Sequence, residues 1–507
     1  MISKCLPAVI ACMWCTCCFA QKPVAERLDS FLSVMAQHHM FNGSILVAEK
    51  GKLLYTKSFG YADADKKIAN SDTCSFNLAS MTKPFTCLAV LQLVQKGKAG
   101  LEDAVVKYLP DFPYPNVTIR HLLTHTSGVP NVEKFERPYI DQHPDEIMGN
   151  EKIYADLVAL KLPQEFQPGD KWSYSNMGYM TLCRLVEKIS GMLFGAYLEK
   201  YIFTPAGMKH SWLRNPASPN TPRYIIPRMY MSEYKNVDSL DHRKVYTHYN
   251  LGGGQGAGNI VSTLQDLFRF DNALSAGKLL SPALLDLAFT PATLNNGKPA
   301  RVGGASRYYG MGWNVVTDTA GAKTVFHDGH IIGIVTMLYK NIAKGQTIIF
   351  YDNMESPAFF QKIGAVARII NNGQTGNFRP TESLARVYGV ALVSKGVDYA
   401  TAKFNELKDD TLHYYVDELE INRLGYDLLA SNADFAGYRA LALEAFKINT
   451  LLFHSANSYD SYADALREDG QADEAISMYR KSLSMNPANS AGKRNLEKLL
   501  AKKEAAK

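Results

Sequence analysis

The spacing of the apolar residues changes along the chain, and each spacing predicts a different element. A helix with one buried face is predicted near the N-terminus by four apolar residues on one helical stripe: Leu28, Phe31, Leu32 and Met35. The strand-like runs 44–49 and 53–59 follow, and the turn at Lys50-Gly51 separates them. This part of the chain is therefore predicted to form a helix and then a hairpin.

Strand-like runs return late in the chain, at 312–317, 331–339 and 347–351, and a helix-like stretch covers 358–370. Between the two groups, from about residue 80 to 290, helical and loop segments predominate. An antiparallel sheet built from both ends of this region accounts for the order, with terminal helices flanking it and a helical middle part joined to it. We therefore predict an α+β fold.

Residues 371–377 have the composition of a linker, and only helical patterns follow. Ala475, Tyr479 and Leu483 are spaced as in the second helix of a tetratricopeptide repeat, and Leu424-Gly425-Tyr426 resembles a first-helix signature. With a period of about 34 residues, we predict two such repeats from about residue 380 onward, with or without a capping helix. Such repeats bind a protein partner or stabilise their neighbour, and the sequence leaves both roles open.

The most informative stretch for chemistry is Ser80-Met81-Thr82-Lys83, which begins an apolar run at helical spacing that Gly97 ends. Positions i and i+3 share one face of a helix, so the lysine amine is brought toward the serine hydroxyl. A serine alone is a poor nucleophile at neutral pH. A desolvated lysine with a lowered pKa can accept its proton.

Taken alone, this spacing also occurs by chance, with Ser80 as a helix cap and Lys83 as a solvated side chain. Two further motifs support the catalytic interpretation. Tyr174-Ser175-Asn176 leads into a helix-like run, and His327-Asp328-Gly329 closes the strand-like run 324–326 and precedes another at 331–339.

These three motifs, in this order, resemble the serine beta-lactamase and penicillin-binding protein superfamily. The resemblance is greatest to its class C-type branch, which includes D-alanyl-D-alanine carboxypeptidases, D-aminopeptidases and family VIII-type esterases. It covers residues 26 to 372, and the stretches 119–128, 202–208 and 309–313 agree with it. It implies a beta-lactamase-like antiparallel sheet flanked by helices, a helical region, and an active site in the crevice between them.

The resemblance also implies roles for individual residues. Tyr174 occupies the position of a proton-shuttling tyrosine, whose pKa a cationic lysine would lower. Asn176 is expected to orient Lys83 or to bind a substrate amide. His327 replaces the lysine of a K-T-G motif, and a neutral imidazole binds a carboxylate less strongly than lysine does. This departure weakens the case for a true beta-lactamase.

The oxyanion hole is expected to use the backbone N–H of Ser80 and, by resemblance, that of His330. Gly329 suits this place because a bare backbone lets the substrate approach closely. The alternative is that Tyr174 and His327 are buried polar residues with satisfied hydrogen bonds.

Other candidate residues receive no catalytic role. His121 and His125 have no third ligand or H-E-x-x-H pattern, so we assign them to a structural loop rather than to a metal site. The glycine-rich stretch 252–258 lacks a following G-K-[ST], so we expect it to border the crevice before Ser262 or Thr263 caps the next helix. We expect 135–148 and 224–250 to be long loops that line the crevice.

Met1 to Ala20 has one positive residue and a short apolar stretch, which predicts a secretory signal peptide cut after Ala20. Val9-Ile10-Ala11-Cys12 loosely resembles a lipobox, so a lipoprotein anchor is the second alternative. No other stretch is apolar for long enough to span a bilayer. The predicted location is periplasmic or secreted.

Five of the eight cysteines lie in this leader, and we expect the remaining Cys74, Cys87 and Cys183 to be small buried residues. The formal charge of +6 is mild for 507 residues, and no basic block carries interleaved aromatics. We therefore expect no nucleic-acid partner, no metal and no cofactor.

We predict a signal peptide at 1–20, a hydrolase domain at 21–372, a linker at 373–380 and a tetratricopeptide-like all-α domain at 381–507. The predicted function is an exported serine hydrolase that forms an acyl-enzyme through Ser80 and cleaves a D-amino-acid peptide, a short ester or a beta-lactam. The alternative is a catalytically silent protein that binds a cell-wall peptide and recruits a protein partner through the repeats.

Overall fold

The computed structural model describes residues 22–505, with gaps at 144–145, 215–224, 226–253, 304–305, 319–320, 332, 355–357, 376–377, 379 and 431–436. The predicted signal peptide therefore lies outside the described residues, as does nearly all of the predicted loop 224–250. No helix in the described part of the chain is both long enough and apolar enough to cross a membrane.

The strands are short in the middle of the predicted catalytic region, residues 22–372, and longer at its two ends. In chain order they are Gly43–Glu49 (β1), Lys52–Phe59 (β2), Tyr61–Asp63 (β3), Ile68–Ala69 (β4), Phe76–Asn77 (β5), Trp212–Leu213 (β6), Ile260–Ser262 (β7), Arg307–Tyr309 (β8), Asn314–Thr317 (β9), Lys323–Ile331 (β10), Ile334–Asn341 (β11), Gln346–Asp352 (β12), Glu382–Ser383 (β13) and Tyr414–Tyr415 (β14).

Seven of these strands form one antiparallel sheet in the spatial order β2-β1-β12-β11-β10-β9-β8. The N-terminal hairpin joins the late strands where β1 pairs with β12, from Gly43 opposite Asp352 to Glu49 opposite Gln346. The prediction of an antiparallel sheet built from both ends of the region is therefore confirmed.

Helices cover both faces of this sheet and form the region beside it. In the catalytic region they are Val24–Gln37 (α1), Lys83–Gln95 (α2), Ile119–Leu123 (α3), Val132–Gln142 (α4), Asn150–Leu160 (α5), Asn176–Ser190 (α6), Phe194–Leu198 (α7), Thr204–Ala206 (α8), Leu264–Ser275 (α9), Pro282–Ala288 (α10) and Phe359–Ile370 (α11). A π-helical turn, Glu199–Phe203, links α7 to α8.

The apolar alternation of the central strands explains how the two faces are covered. On one face, Leu32 of α1 and Val366 of α11 pack with Phe350 of β12. On the other, Phe85 of α2 and Leu338 of β11 belong to the core that continues into the helical region. Every residue of β12 is buried, because helices exclude water from both of its sides.

Within its described residues, the C-terminal region is all-helical apart from the two-residue strands β13 and β14. Its helices are Leu384–Lys395 (α12), Val397–Leu407 (α13), Glu418–Ala430 (α14), Tyr438–Phe453 (α15), Ala456–Glu468 (α16), Ala472–Met485 (α17) and Ser490–Ala505 (α18). They share their own apolar core, to which the catalytic region adds the buried Met354.

Consecutive C-terminal helices pack as three pairs, α12 with α13, α14 with α15 and α16 with α17, and α18 packs on α17. The first helix of each pair begins at residue 384, 418 or 456, at intervals of 34 and 38 residues. The sequence predicts two repeats in this region, and the described residues contain three helix pairs, of which α12 and α13 carry no recognisable repeat signature.

One local prediction is wrong. The segment 135–148 was expected to be a long loop, but α4 occupies most of it because Val132, Phe135 and Ile140 lie at helical spacing and are buried. By contrast, His327-Asp328-Gly329 lies near the end of β10 and precedes β11, as predicted, and pairing with β11 extends β10 to Ile331.

Two other predictions are confirmed. Cys74, Cys87 and Cys183 are buried and unpaired. Thr263 caps α9, where its hydroxyl accepts from the Asp266 amide.

Candidate active site

Ser80 lies in the 3-10 turn Ala79–Thr82, directly before α2. The small sheet β5-β7-β6 fixes the entry to this turn, since the Leu78 amide donates to the Ile260 carbonyl at 2.8 Å. Ala79 has a φ of +48°, a left-handed value that residues other than glycine rarely adopt. Backbone strain of this kind is concentrated at functional sites. Here it occurs at the residue that precedes the candidate nucleophile.

Lys83 is completely buried, with 0% of its surface exposed. Its Nζ lies 3.2 Å from Ser80 Oγ and 2.9 Å from Asn176 Oδ1. Burial lowers the pKa of Lys83 to about 7, while the charges of Glu133 and Asp328 oppose that decrease. At pH 7 about half of the amines are therefore neutral and able to accept a proton.

Residues distant in sequence hold this amine in place. Asn176, the first residue of α6, accepts from Lys83 and donates through Nδ2 to Glu133 Oε1 at 2.9 Å. Its backbone amide donates to Asn131 Oδ1 at 2.7 Å. The Ala257 carbonyl accepts from Lys83 at 2.8 Å, so the glycine-rich stretch does border the site.

Tyr174 lies beside the lysine, with Lys83 Nζ 4.7 Å from the centroid of its ring. Desolvation raises the pKa of the Tyr174 hydroxyl, and its hydrogen bond with Ser80 opposes only part of this effect. The expectation that a cationic lysine lowers the pKa of Tyr174 is wrong, because desolvation acts on both groups and favours their neutral forms. Lys83, rather than Tyr174, titrates near neutral pH.

His327 is buried in β10 and has partners for both ring nitrogens. Nδ1 lies 2.7 Å from the Asp328 carbonyl, which can only accept, so Nδ1 carries the proton. Nε2 then accepts from the Tyr309 hydroxyl at 3.1 Å. Burial lowers the pKa of His327 to about 4. The imidazole is therefore neutral at physiological pH.

Gly329 is the point at which β10 meets the turn that carries Ser80. A Cβ at this position would lie 2.0 Å from the Leu78 carbonyl oxygen, a distance that no side chain tolerates. Thr336 of β11 donates to the same carbonyl at 2.9 Å. β10 pairs with β9 only from Lys323 to Phe326, so the segment that follows, including the exposed His330, borders the turn instead.

The structure thus brings Ser80, Lys83, Tyr174 and Asn176 together, with His327 and Gly329 on the adjoining strand. Three further residues of the site received no role from the sequence: Glu133, His125 and Tyr309. The last two lie in the family-like stretches 119–128 and 309–313, and that was the only available signal. No sequence signal marked Glu133, because it is linked to Lys83 only through Asn176, where α4 and α6 pack together.

The neighbouring His121 is remote from this chemistry. It lies in α3, where its Nδ1 accepts from the Thr118 amide at 3.2 Å and completes a capping box. Among the described residues, no group of three or more His, Cys, Asp or Glu side chains is placed to hold a metal ion.

Comparison with known proteins agrees with this fold. The chain is 34% identical over 465 residues to penicillin-binding protein 4* of Bacillus subtilis, which covers 89% of this chain and 98% of that protein. It is 30% identical over 351 residues to the putative penicillin-binding protein PbpX of the same organism, covering 67% of this chain and 76% of that one. The first match is long enough to include part of the C-terminal helices.

Solved structures share the fold of the catalytic region. A penicillin-binding protein from Bacillus halodurans superposes with a TM-score of 0.56 at 23% identity, covering 66% of this chain and 98% of that one. The D-amino acid amidase from Ochrobactrum anthropi SV3, complexed with L-phenylalanine amide, gives a TM-score of 0.56 at 24% identity, covering 68% and 99%. The Beta-lactamase family model matches residues 29–370. The chain therefore belongs to the beta-lactamase family of penicillin-binding-protein-like serine hydrolases.

Proposed function

We propose that this protein is an exported serine hydrolase that forms an acyl-enzyme at Ser80 and hydrolyses an ester or an amide. The observation that carries the proposal is the fully buried Lys83, with its amine 3.2 Å from Ser80 Oγ and a pKa of about 7. Desolvating a lysine is costly, and this buried amine lies against a serine hydroxyl whose proton it can accept.

In acylation, neutral Lys83 accepts the Ser80 proton as Oγ attacks the substrate carbonyl carbon. The new oxyanion is held by the backbone N–H groups of Ser80 and His330, each worth about 3 kcal/mol. When the intermediate collapses, the bond to the leaving group breaks. Tyr174 then gives its proton to the leaving nitrogen or oxygen and receives one from protonated Lys83.

In deacylation the same groups work in the opposite direction. Water loses a proton to Lys83 as it attacks the acyl carbon, and Ser80 Oγ leaves with a proton returned from the lysine. A neutral Tyr174 suits this relay because it can donate one proton and accept another without holding a charge between the two steps. Asn176 and Glu133 keep the amine within reach throughout.

The substrates we propose are D-amino-acid peptides, short esters and beta-lactams. Two relatives are named penicillin-binding proteins, and one solved structure is named a D-amino acid amidase. The neutral His327 supplies no cation to the crevice, which favours esters and amides without a carboxylate at that position. We also propose that residues 1–20 direct export to the periplasm or the medium.

The test is hydrolysis of a short-chain p-nitrophenyl ester by the mature protein, with Ser80→Ala as the control. We expect turnover in the parent and none in the variant, and intact-mass analysis with a slow beta-lactam should show an adduct only where Ser80 is present. Equal turnover in both proteins would refute the nucleophile. Binding without turnover in either would favour the silent cell-wall-peptide-binding alternative.

We propose that residues 381–507, joined by the linker 373–380, form a tetratricopeptide-like domain that binds a protein partner. The three helix pairs among the described residues support this, as does their own apolar core, which also takes in Met354. A variant that ends at residue 380 is expected to keep its ester turnover and its melting temperature. Loss of both together would show instead that the helices stabilise the hydrolase.

A further inference from the structure

His125 connects the loop after α3 to the segment that carries Tyr174. It is 1% exposed and has a φ of +58°, in the left-handed region. A bulky residue in that conformation is strained, and contacts made by its side chain and backbone must offset the strain.

His125 accepts two hydrogen bonds from the backbone amides of the residues that flank Tyr174 in the chain. The Ser173 amide donates to the His125 carbonyl at 2.8 Å. The Ser175 amide donates to His125 Nδ1 at 3.1 Å. One residue therefore holds both chain neighbours of Tyr174, which fixes the backbone from which the tyrosine side chain extends.

The imidazole also contacts the Tyr174 ring directly. Its centroid lies 4.4 Å from that of Tyr174, 4.8 Å from that of Tyr309 and 5.0 Å from that of Tyr179. Rings at these separations restrict one another's rotation. Tyr309 in turn bonds His327, so His125 lies between the two motifs that face Ser80.

His125 does not itself act on a proton in this site. Because Nδ1 accepts from an amide, the proton is on Nε2, and within the described part of the chain that atom has no hydrogen-bond partner. Burial and the charge of Lys83 lower the pKa of His125 well below its usual value, so the ring is neutral.

We propose that His125 is a positioning residue for the proton relay, holding the Tyr174 hydroxyl in line with Lys83 and Ser80. This inference rests on the proposed hydrolase function. In this role His125 acts only through Tyr174. The effect of changing His125 should therefore depend on whether Tyr174 is present, and a double-mutant cycle measures that dependence.

The test is a double-mutant cycle with His125→Phe and Tyr174→Phe, assayed by Ser80-dependent ester hydrolysis. Phenylalanine keeps a ring but has no acceptor for the Ser175 amide. We expect His125→Phe to lower kcat by about 10- to 100-fold with KM changed less than about two-fold, since a displacement near 1 Å costs this much. In the Tyr174→Phe background, the same substitution should change kcat less than about two-fold. Equal losses in both backgrounds would overturn the proposal.

Two variants separate positioning from general damage. His125→Asn places an amide oxygen near the position of Nδ1 and tolerates a left-handed backbone, so we expect it to recover kcat to within about five-fold of the parent. His121→Gln, in the same motif but remote from Tyr174, should leave kcat unchanged and preserves the cap of α3. If His125→Asn is as slow as His125→Phe while both melt like the parent, the hydrogen bond is not the cause.

A structural measurement keeps this test independent of the proposed function. If the parent shows no Ser80-dependent turnover, the hydrolase proposal fails, and a crystal structure of His125→Phe then decides the positioning role alone. A Tyr174 hydroxyl displaced by about 1 Å or more supports positioning, and an unmoved hydroxyl refutes it.

Discussion

Glu133→Gln removes one negative charge from the rim of the site while keeping an oxygen that can accept from Asn176. The carboxylate favours the charged form of Lys83, so its removal should lower the pKa of the lysine below about 7. Neutral Lys83 is the proposed base. In a plot of kcat/KM against pH, the acidic limb should therefore move to lower pH.

The magnitude follows from the distance between the charges. The two hydrogen bonds that connect Lys83 to Glu133 through Asn176 are each 2.9 Å long. With the width of the amide added, the charges lie roughly 7 Å apart, which is worth ~0.6 kcal/mol in water and ~2.4 kcal/mol at an effective dielectric constant of about 20. Because Glu133 is exposed, we expect about 0.6–1.4 kcal/mol, or about half to one pKa unit.

The assay is the pH dependence of kcat/KM between pH 5 and 9. At pH 6 the neutral fraction of Lys83 should rise from about 10% to about 25–50%, so the variant should be about three to five times faster than the parent there, with little difference at pH 8. High salt should reduce the difference in kcat/KM between variant and parent at pH 6, because salt screens the exposed charge of Glu133. Glu165→Gln, which removes a carboxylate paired with Lys134 instead, is the matched control.

Two results would refute the reasoning. An acidic limb that stays in place, or moves to higher pH, would show that Glu133 does not set the protonation of the base. A parent profile without a limb near pH 7 would show that Lys83 is not the titrating group.

Three further predictions test other parts of the structure. Asn176→Asp places a charge 2.9 Å from the amine of Lys83, so the acidic limb of the pH profile should move up by more than one unit. Activity at pH 7 should then fall at least about five-fold. An unchanged pH profile would contradict this. Gly329→Ala forces a Cβ to within 2.0 Å of the Leu78 carbonyl oxygen. Ester turnover should therefore fall about 100-fold in protein that circular dichroism shows to be folded. Normal turnover would show that the strand can move away freely. Lys340→Met leaves Asp271 buried without its ion-pair partner, so the free energy of unfolding in urea should fall by about 3–5 kcal/mol. Adding Asp271→Leu should restore most of that loss. Equal stability of the single and double variants would refute this account.

Some of the fold could be predicted because it depends on local periodicity. The hairpin β1-β2, helix α1 and helix α11 follow from apolar spacing within each segment. The helix α4 was missed because Pro138 and several charged residues interrupt its pattern, and its apolar face becomes evident only when packed. The helix pair α12 and α13 was missed because its residues match no repeat signature.

The candidate site divides in the same way. The i, i+3 spacing of Ser80 and Lys83 determines by itself that hydroxyl and amine share a helical face. The pKa of Lys83 and the neutral state of Tyr174 do not follow from spacing, because they depend on which groups exclude water from the site. The link from Lys83 through Asn176 to Glu133 does not follow either, because it forms only when distant segments pack together.

The sequence alone therefore determined the family, the antiparallel sheet and the identity of the candidate nucleophile and base, since these are carried by motifs and by the order of apolar runs along the chain. Only the tertiary structure decided which group titrates near neutral pH, why His327 stays uncharged, and that His125 holds the segment of Tyr174. Desolvation and contacts between segments far apart in sequence depend on the three-dimensional packing of the whole domain, and no local pattern records them.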